Sequence, residues 1–256
     1  MPNPAMQKQI THAKVEWRTN EDGQLQPYSI DFKDIYYSTE SGQHESEYVF
    51  VAHNQLHQRF AQAINTFTVA ETGFGSALNF LVVADCWRRV APDDTNLNYL
   101  GFEHFPLNIS DLQIACDIWP QYAWIAKPLL VAYGALKIGK NCIELPHNIT
   151  LNLYIDDVNV VLPNLTIAPN TNINAWLLDG YSPAKNPTMW QPETLNQIAR
   201  LSIIGTTFAT FTSAGNVRRH LQSIGFIVQK CKGFGKKREM LAGYFVGNIA
   251  NKIVSK

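Results

Sequence analysis

Four carboxylates in this chain fall where acidic side chains could converge on one ligand. Glu71, Glu103, Asp157 and Asp179 each stand at or just past the end of a short run with β character, namely Thr66 to Ala70, Leu97 to Phe102, Thr150 to Ile155 and Ala175 to Leu178. Ligands of open α/β sheets bind outside the carboxyl ends of the strands, so four acidic residues at four such ends carry more information together than any one of them. Glu71 begins Glu71-Thr72-Gly73-Phe74-Gly75, where Gly73 and Gly75 allow a tight turn and a close approach of ligand to backbone. A dinucleotide fingerprint would require a third glycine where Leu78 stands, which weakens the case for a pyrophosphate on the following helix. An acidic residue two positions before the first glycine suits a cationic, phosphate-free ligand instead, and S-adenosylmethionine (SAM) carries both an ammonium and a sulfonium. Glu103 is placed to accept both hydroxyls of a ribose and Asp157 to accept from an adenine amino group. Any one of these carboxylates could equally be a turn residue or a helix cap, and the glycines could serve packing alone.

The elements that must position these residues follow from hydrophobic period. Thr66 to Ala70 predicts a strand, the glycines a turn and Ala77 to Val90 a helix, the opening β-α of a doubly wound sheet. Leu97 to Phe102 predicts the next strand, and Ser110-Asp111-Leu112-Gln113 a helix start with Ser110 at the cap. Pro120, Pro128 and Pro146 interrupt the period between 120 and 148. Beyond them, strands are expected over Thr150 to Ile155, Ile173 to Leu178, Thr206 to Thr210, Phe226 to Val228 and Leu241 to Val246, and helices over Pro192 to Leu201 and Asn216 to Ser223. Gly233 to Lys237 reads as the turn between the last two strands. Short alternating segments from Ala13 to Phe60, including Glu47-Tyr48-Val49-Phe50-Val51, predict a small β-rich extension over residues 1–60, packed on a main α/β domain over residues 61–256.

With 46% hydrophobic residues and balanced formal charge, the chain has the composition of an ordinary globular domain. The balance hides a basic end: from Arg218 to Lys256 six Lys and three Arg face Glu239 alone, a net +8 against −8 for the rest. Such an end could face phosphates or be a solvated helix and tail. Cys86, Cys116, Cys142 and Cys231 form no C-x-x-C pair, and a reduced, cytoplasmic protein is expected. Met1-Pro2-Asn3-Pro4 does not open a signal peptide, and no apolar run approaches a membrane span. His53 and His57 have the i, i+4 spacing of metal ligands, but the Glu of H-E-x-x-H is missing and the neighbourhood reads as strand and turn, so no metal is expected.

Three longer strings point to a family. Asp179-Gly180-Tyr181-Ser182-Pro183-Ala184-Lys185-Asn186-Pro187-Thr188-Met189-Trp190, Ala209-Thr210-Phe211-Thr212-Ser213-Ala214-Gly215-Asn216-Val217-Arg218-Arg219 and Gly233-Phe234-Gly235-Lys236-Lys237-Arg238-Glu239-Met240-Leu241 resemble the methyltransferase half of the bacterial tRNA 5-methylaminomethyl-2-thiouridine biosynthesis bifunctional proteins. Glu71 to Leu81, Phe102-Glu103-His104-Phe105-Pro106-Leu107, Asp34 to Ser38 and Glu47 to Phe50 are similar to that family too. The resemblance implies a Rossmann-like class I SAM-dependent methyltransferase, with a mostly parallel twisted sheet flanked by helices. It implies N-methylation of the 5-aminomethyl group of (2-thio)uridine at tRNA wobble position 34, the tRNA (5-aminomethyl-2-thiouridylate) methyltransferase reaction. Carried over by position, Glu71, Gly73, Gly75, Glu103 and Asp157 would hold SAM and Asp179 would face the amine. The sequence departs from the pattern at His104, where Lys is usual, at Asp156, where Gly usually precedes the aspartate, and at Ser76-Ala77, where Thr-Gly is common.

The partner is then the anticodon stem-loop of tRNA, with Lys185, Arg218, Arg219, Lys236, Lys237 and Arg238 as candidate phosphate contacts and Tyr36, Tyr181 and Trp190 as residues that could line a base pocket. The flavin-dependent oxidoreductase of the bifunctional proteins is expected outside this chain, as a fused or separate unit, so no flavin is expected within it. Whether the chain stands alone or is a piece of a longer protein stays open. Two rival functions also stay open: methylation of another amine, and RNA binding without catalysis.

Overall fold

Strand-length apolar runs alternating with amphipathic helices can bury both sheet faces only by layering helices on each side. The computed structural model describes residues 9–19, 23, 25–37, 41–166 and 172–247. Met1 to Pro4, Ser38, Lys252 and Lys256, which enter the expectations above, lie outside the described residues.

A three-stranded antiparallel sheet comes first, formed by β1 (Val15–Thr19), β2 (Leu25–Ser29) and β3 (Asp34–Ile35). Next come α1 (Gly42–Ser46), a π-helical turn over Glu47–Ala52 and α2 (Leu56–Ala61). The main sheet then begins with β4 (Thr66–Glu71), α3 (Leu78–Val90), β5 (Asn96–Glu103), α4 (Ile109–Asp117), α5 (Ala123–Tyr133), β6 (Gly139–Leu145) and β7 (Ile149–Ile155). It is completed by α6 (Val158–Asn164), β8 (Ile173–Leu177), α7 (Pro192–Arg200), β9 (Ser202–Thr210), α8 (Gly215–Ser223), β10 (Phe226–Lys232) and β11 (Glu239–Phe245). Strand order is β10-β11-β9-β8-β4-β5-β7-β6. The five central strands, β9 to β7, run parallel, and β6, β11 and β10 add antiparallel edges.

Alternation along each central strand feeds two cores. Val69, Ala175, Leu177 and Ala209 point to the face covered by α2, α3, α4 and α5, while Ala70, Trp176, Leu178 and Phe208 point to the face covered by α6, α7 and α8. This two-sided burial is why these strands read as unbroken apolar runs.

Two expectations are corrected. Glu47–Val51 is not a strand: Ser41 caps α1 by accepting from the His44 amide, and the helix runs on into the π-turn. Val49 and Phe50, neighbours in this helical turn, are both buried against the core. The extension is therefore β-rich only to Ile35. At α4 the cap is Asn108, whose side-chain oxygen accepts from the Asp111 amide at 2.9 Å, and Ser110 lies inside the helix.

The small sheet is fastened to the main domain by Trp17, whose Nε1 donates to Asp111 Oδ1 at 2.7 Å, and by the Ala13 amide, which donates to the Pro106 carbonyl at 3.1 Å. At the centre of the fold, Phe80 is fully buried and packs edge-on to Tyr99 at 5.0 Å and against Phe74 at 5.9 Å. Phe80→Ala should cost about 3–5 kcal/mol through lost burial and the cavity left behind. Urea denaturation of the two proteins measures it.

Candidate active site

The strand order reverses at β4, which has β5 on one side and β8 on the other, and such a switch point opens a crevice outside the carboxyl ends of the strands. A cavity of about 590 Å³ lies there. Its walls come from the turns after β4, β5, β7 and β8, from Ser29 to Tyr37 of the small sheet, and from α1. Of the residues expected to hold a ligand, Gly73, Gly75, Glu103, Asp157 and Asp179 all line it.

The turns after β4 and β8 are locked together. Thr72 Oγ1 donates to the Asp179 carbonyl at 2.7 Å and accepts from the Asp179 amide at 3.1 Å. A Cβ on Gly73 would stand 2.9 Å from the Asp179 carbonyl oxygen and from Gly180 Cα, so only glycine allows this approach. Gly75 sits at φ +51°, which turns its amide to donate to Glu103 Oε2 at 2.8 Å. Phe105 donates its amide to the other Glu103 oxygen at 2.9 Å. Ala77 also takes the left-handed conformation, at φ 66°, and this is the position where the resembled family commonly has Gly.

Burial dominates the electrostatics. It pushes the Glu103 carboxyl up to about 7, against the amides of Gly75, Phe105 and His104, which favour the charged form. It pushes Asp179 up to about 6, opposed by the Gly180 amide and the Asn79 side chain; the Glu45 charge raises it further and the Lys237 charge lowers it. A cation entering the cavity would favour ionisation of both.

Asp157 caps α6: its Oδ1 accepts from the Asn159 amide and from Asn159 Nδ2, each at 2.9 Å, while Oδ2 lies 3.9 Å from His104 Nδ1. One oxygen is thus committed to the helix and the other faces the cavity rim. The neighbouring departure, Asp156, accepts the Asp157 amide at 2.8 Å and also lines the cavity.

Glu71 is placed differently from the expectation. It is fully buried, does not line the cavity, and has both oxygens occupied, by Asn79 Nδ2 at 2.7 Å and Tyr99 Oη at 2.7 Å. Direct contact with a ligand in the cavity would require that arrangement to break.

Two charged or polar residues at the site have no counterpart among the sequence expectations. Asn79 bridges Glu71 and Asp179, and its only signal in the sequence is being the one polar residue between Ala77 and Ala84. Glu45, from the extension, is buried on the wall and pairs with Lys237 at 2.7 Å. Nothing in a local pattern brings residues this far apart in sequence together.

Among the candidate phosphate contacts, Lys237 alone lines the cavity, its ammonium 4.7 Å from the Phe211 ring centroid. A phosphate would have to compete with Glu45 for it. Lys185, Arg219, Lys236 and Arg238 are exposed and Arg218 is half-buried. Lys230 donates to Glu239 at 2.6 Å, and its hydrogen bond, with the charges of Lys230, Arg218 and Arg238, holds that carboxyl below its usual range. The basic residues of α8 and the β10–β11 turn therefore share one neighbourhood. Part of the cavity wall is aromatic: Phe32 stacks on Tyr181 at 4.2 Å and Tyr36 meets Tyr181 edge-on at 5.7 Å. Trp190 is buried outside the cavity, its Nε1 donating to the Tyr181 carbonyl at 2.9 Å. No His, Cys, Asp and Glu group that could hold a metal occurs among the described residues, whose four cysteines are free.

Comparison with known proteins places this geometry. Residues 120–245 match a family described as S-adenosyl-L-methionine-dependent methyltransferase. The chain is 44% identical over 223 residues to the tRNA 5-methylaminomethyl-2-thiouridine biosynthesis bifunctional protein MnmC of Idiomarina loihiensis, covering 86% of this chain and 37% of that protein. It is also 44% identical over 238 residues to the MnmC of Ectopseudomonas mendocina, covering 91% of this chain and 35% of that one. The chain thus spans little more than a third of the length of these relatives. The crystal structure of MNMC2 from Aquifex aeolicus superposes with a TM-score of 0.68 at 19% identity, over 98% of this chain and 76% of that one, and shares the fold. No helix among the described residues is long and apolar enough to cross a membrane.

Gly73→Ala tests the clamp between the two turns. A methyl group forced against the Asp179 backbone should destabilise the protein by about 1–3 kcal/mol, the usual cost of overpacking. It should also weaken SAM binding, read by denaturation and by calorimetric titration.

Proposed function

We propose that this chain, which belongs to the S-adenosyl-L-methionine-dependent methyltransferase family shared with the MnmC bifunctional proteins, methylates the 5-aminomethyl nitrogen of (2-thio)uridine at tRNA wobble position 34. The observation that carries the reading is the set of Glu103, Asp157 and Asp179 around one cavity at the switch point of the sheet. That wall offers acceptors to a cationic, hydroxyl-bearing ligand, and its turn gives backbone access at Gly73 and Gly75.

In this reading Glu103 accepts from the ribose hydroxyls, the Asp157 oxygen not engaged in the cap accepts from the adenine amino group, and the turn at Gly73 and Gly75 presents its backbone to the ligand. SAM, when bound, supplies a methyl group on a sulfonium to an in-line attack by nitrogen. The chain's own task is to hold the nucleophile in line and to leave it neutral. An alkylamine of pKa near ~10.4 costs about 4–5 kcal/mol to present unprotonated at pH 7. Asp179, with its carboxyl raised to about 6, orients the amine through one oxygen and takes up its proton, while burial of the amine lowers the amine's own affinity for that proton. Phe32, Tyr36 and Tyr181 supply an aromatic surface on which a splayed base can stack.

The tRNA backbone lies, in this reading, along the basic rim, with Lys185, Arg218, Arg219, Lys236 and Arg238 as phosphate contacts and Lys237 available where its pairing with Glu45 yields. A flavin-dependent oxidoreductase, fused or separate, would supply the aminomethyl substrate.

The direct experiment is nucleoside mass spectrometry of tRNA from cells lacking the protein, in which unmethylated 5-aminomethyl uridine should accumulate. Asp179→Ala should lose most methylation of such tRNA while still binding SAM, and near wild-type turnover would remove Asp179 from the mechanism. Charge reversal at Arg218 and Arg219 together should flatten the salt dependence of tRNA affinity by about two in the log–log slope, and an unchanged slope would take them out of the phosphate set.

A further inference from the structure

From Asp179 on the cavity wall, a chain of hydrogen-bonded side chains runs inward to Tyr99. Tyr99 Oη donates to Glu71 Oε2 at 2.7 Å, and Asn79 Nδ2 reaches both Glu71 Oε1 at 2.7 Å and Asp179 Oδ2 at 2.5 Å. The amide has two hydrogens, so one nitrogen can serve both carboxyl groups at once. Asp179 Oδ1 in turn accepts from the Gly180 amide at 2.8 Å. Glu71, Tyr99 and Asn79 are all buried, and Asp179 is the one member of the series on the cavity wall that carries a carboxyl.

We propose that Asn79 is a positioning residue for methyl transfer: its side-chain amide fixes the Asp179 carboxyl toward the acceptor amine and couples it to Glu71. The inference rests on the assignment of Asp179 given above.

The charge state follows from the surroundings. Two carboxylates sharing one amide nitrogen in a dry wall repel each other, and no Lys or Arg among the described residues pairs with Glu71. Its partners, Asn79 and Tyr99, are neutral. Burial raises the Glu71 carboxyl well above its ordinary range, and the charge of Asp179 raises it further. Burial thus disfavours a charge on Glu71, and Asp179, on the cavity wall with the Lys237 charge acting on it, is the member that ionises more readily. Asn79 donates to both carboxyls, and its hydrogen bond to Asp179 favours the charged form of that group. A neutral Glu71 spares Asp179 a like charge one side chain away and keeps its carboxylate able to take the amine's proton.

Other groups also face Asp179. Glu45 of α1 and Lys237 of the β10–β11 turn act on it in opposite directions, and Glu103 acts on Glu71 from the end of β5. A pH profile will move with any of these, so the test compares Asn79 variants in an otherwise unchanged site.

The experiment measures kcat, the SAM dissociation constant and the pH dependence of kcat/KM on tRNA bearing 5-aminomethyl-2-thiouridine. Asn79→Leu should lower kcat by about 10–100-fold, the span expected for a hydrogen bond to a charged group. SAM affinity should stay within about threefold. The acidic limb should move to higher pH, because the variant removes a donor to the ionised Asp179. Glu71→Gln keeps the shape of Glu71 without its charge and leaves the Asn79 donor to Asp179 in place, so it should lower kcat and move the limb less than Asn79→Leu does. Should Asn79→Leu fail to fold, Asn79→Asp has the same shape and should move the limb upward as well. The proposal is overturned by Asn79 variants with a wild-type limb and kcat while Asp179→Asn is inactive, by a kcat loss matched by an equal loss of SAM affinity, or by a Glu71→Gln defect as large as that of Asn79→Leu. Asp179→Asn with wild-type turnover would instead defeat the parent assignment, whatever Asn79 does.

Discussion

The site depends on holding Glu71, Glu103 and Asp179 largely by neutral donors, the wall's Lys237 being paired with Glu45. Glu103 is held by the amides of Gly75 and Phe105, Asp179 by the Gly180 amide and Asn79, and Glu71 by Asn79 and Tyr99. Fixed dipoles of this kind carry no net charge, so a cationic ligand beside these carboxyls would favour their ionised forms. Had each carboxylate its own Arg or Lys, the wall would be more comfortable and less useful. The raised carboxyls of Glu103 and Asp179 are the measure of that residual discomfort.

That constraint reaches outward into the fold. The amides that hold Glu103 and Asp179 come from turns, and the turns have their shape because Gly73 lets two backbones meet and Gly75 takes a left-handed conformation. The turns in turn sit on strands whose two faces are both buried, which leaves little freedom for one strand to slide against the next. Phe80, Phe74 and Tyr99 link this packing to the chemistry directly, since the Tyr99 ring that packs in the core carries the hydroxyl that meets Glu71.

The N-terminal extension has a larger part in the site than its sequence implies. Ser29 to Tyr37 and Glu45 line the cavity, and Phe32 stacks on Tyr181 from the turn after β8. Glu45 and Lys237 join the two ends of the chain across the wall. The cavity surface is thus shared between the extension and the switch-point turns.

The residues of the sequence itself determined whatever depends on local period and short-range chemistry. The β-α opening at Thr66 to Val90, the strand ends at Glu103, Asp157 and Asp179, and the glycine turn are all decided within a few residues, and three of the four carboxylates do line one cavity. Tertiary structure alone decided what depends on distance in the chain. Glu47 to Val51 alternates like a strand, yet the helix capped at Ser41 runs on through it into the π-turn. Glu71 sits at a strand end like the others, but its side chain points under Asn79 and Tyr99, a placement set by how α3 and β5 pack on β4. Pairing across the fold, as between Asn79 and Asp179 or Glu45 and Lys237, is the work of the packed sheet and its helices, because hydrogen bonds between residues this far apart form only where the core has already paid the entropy of bringing them together.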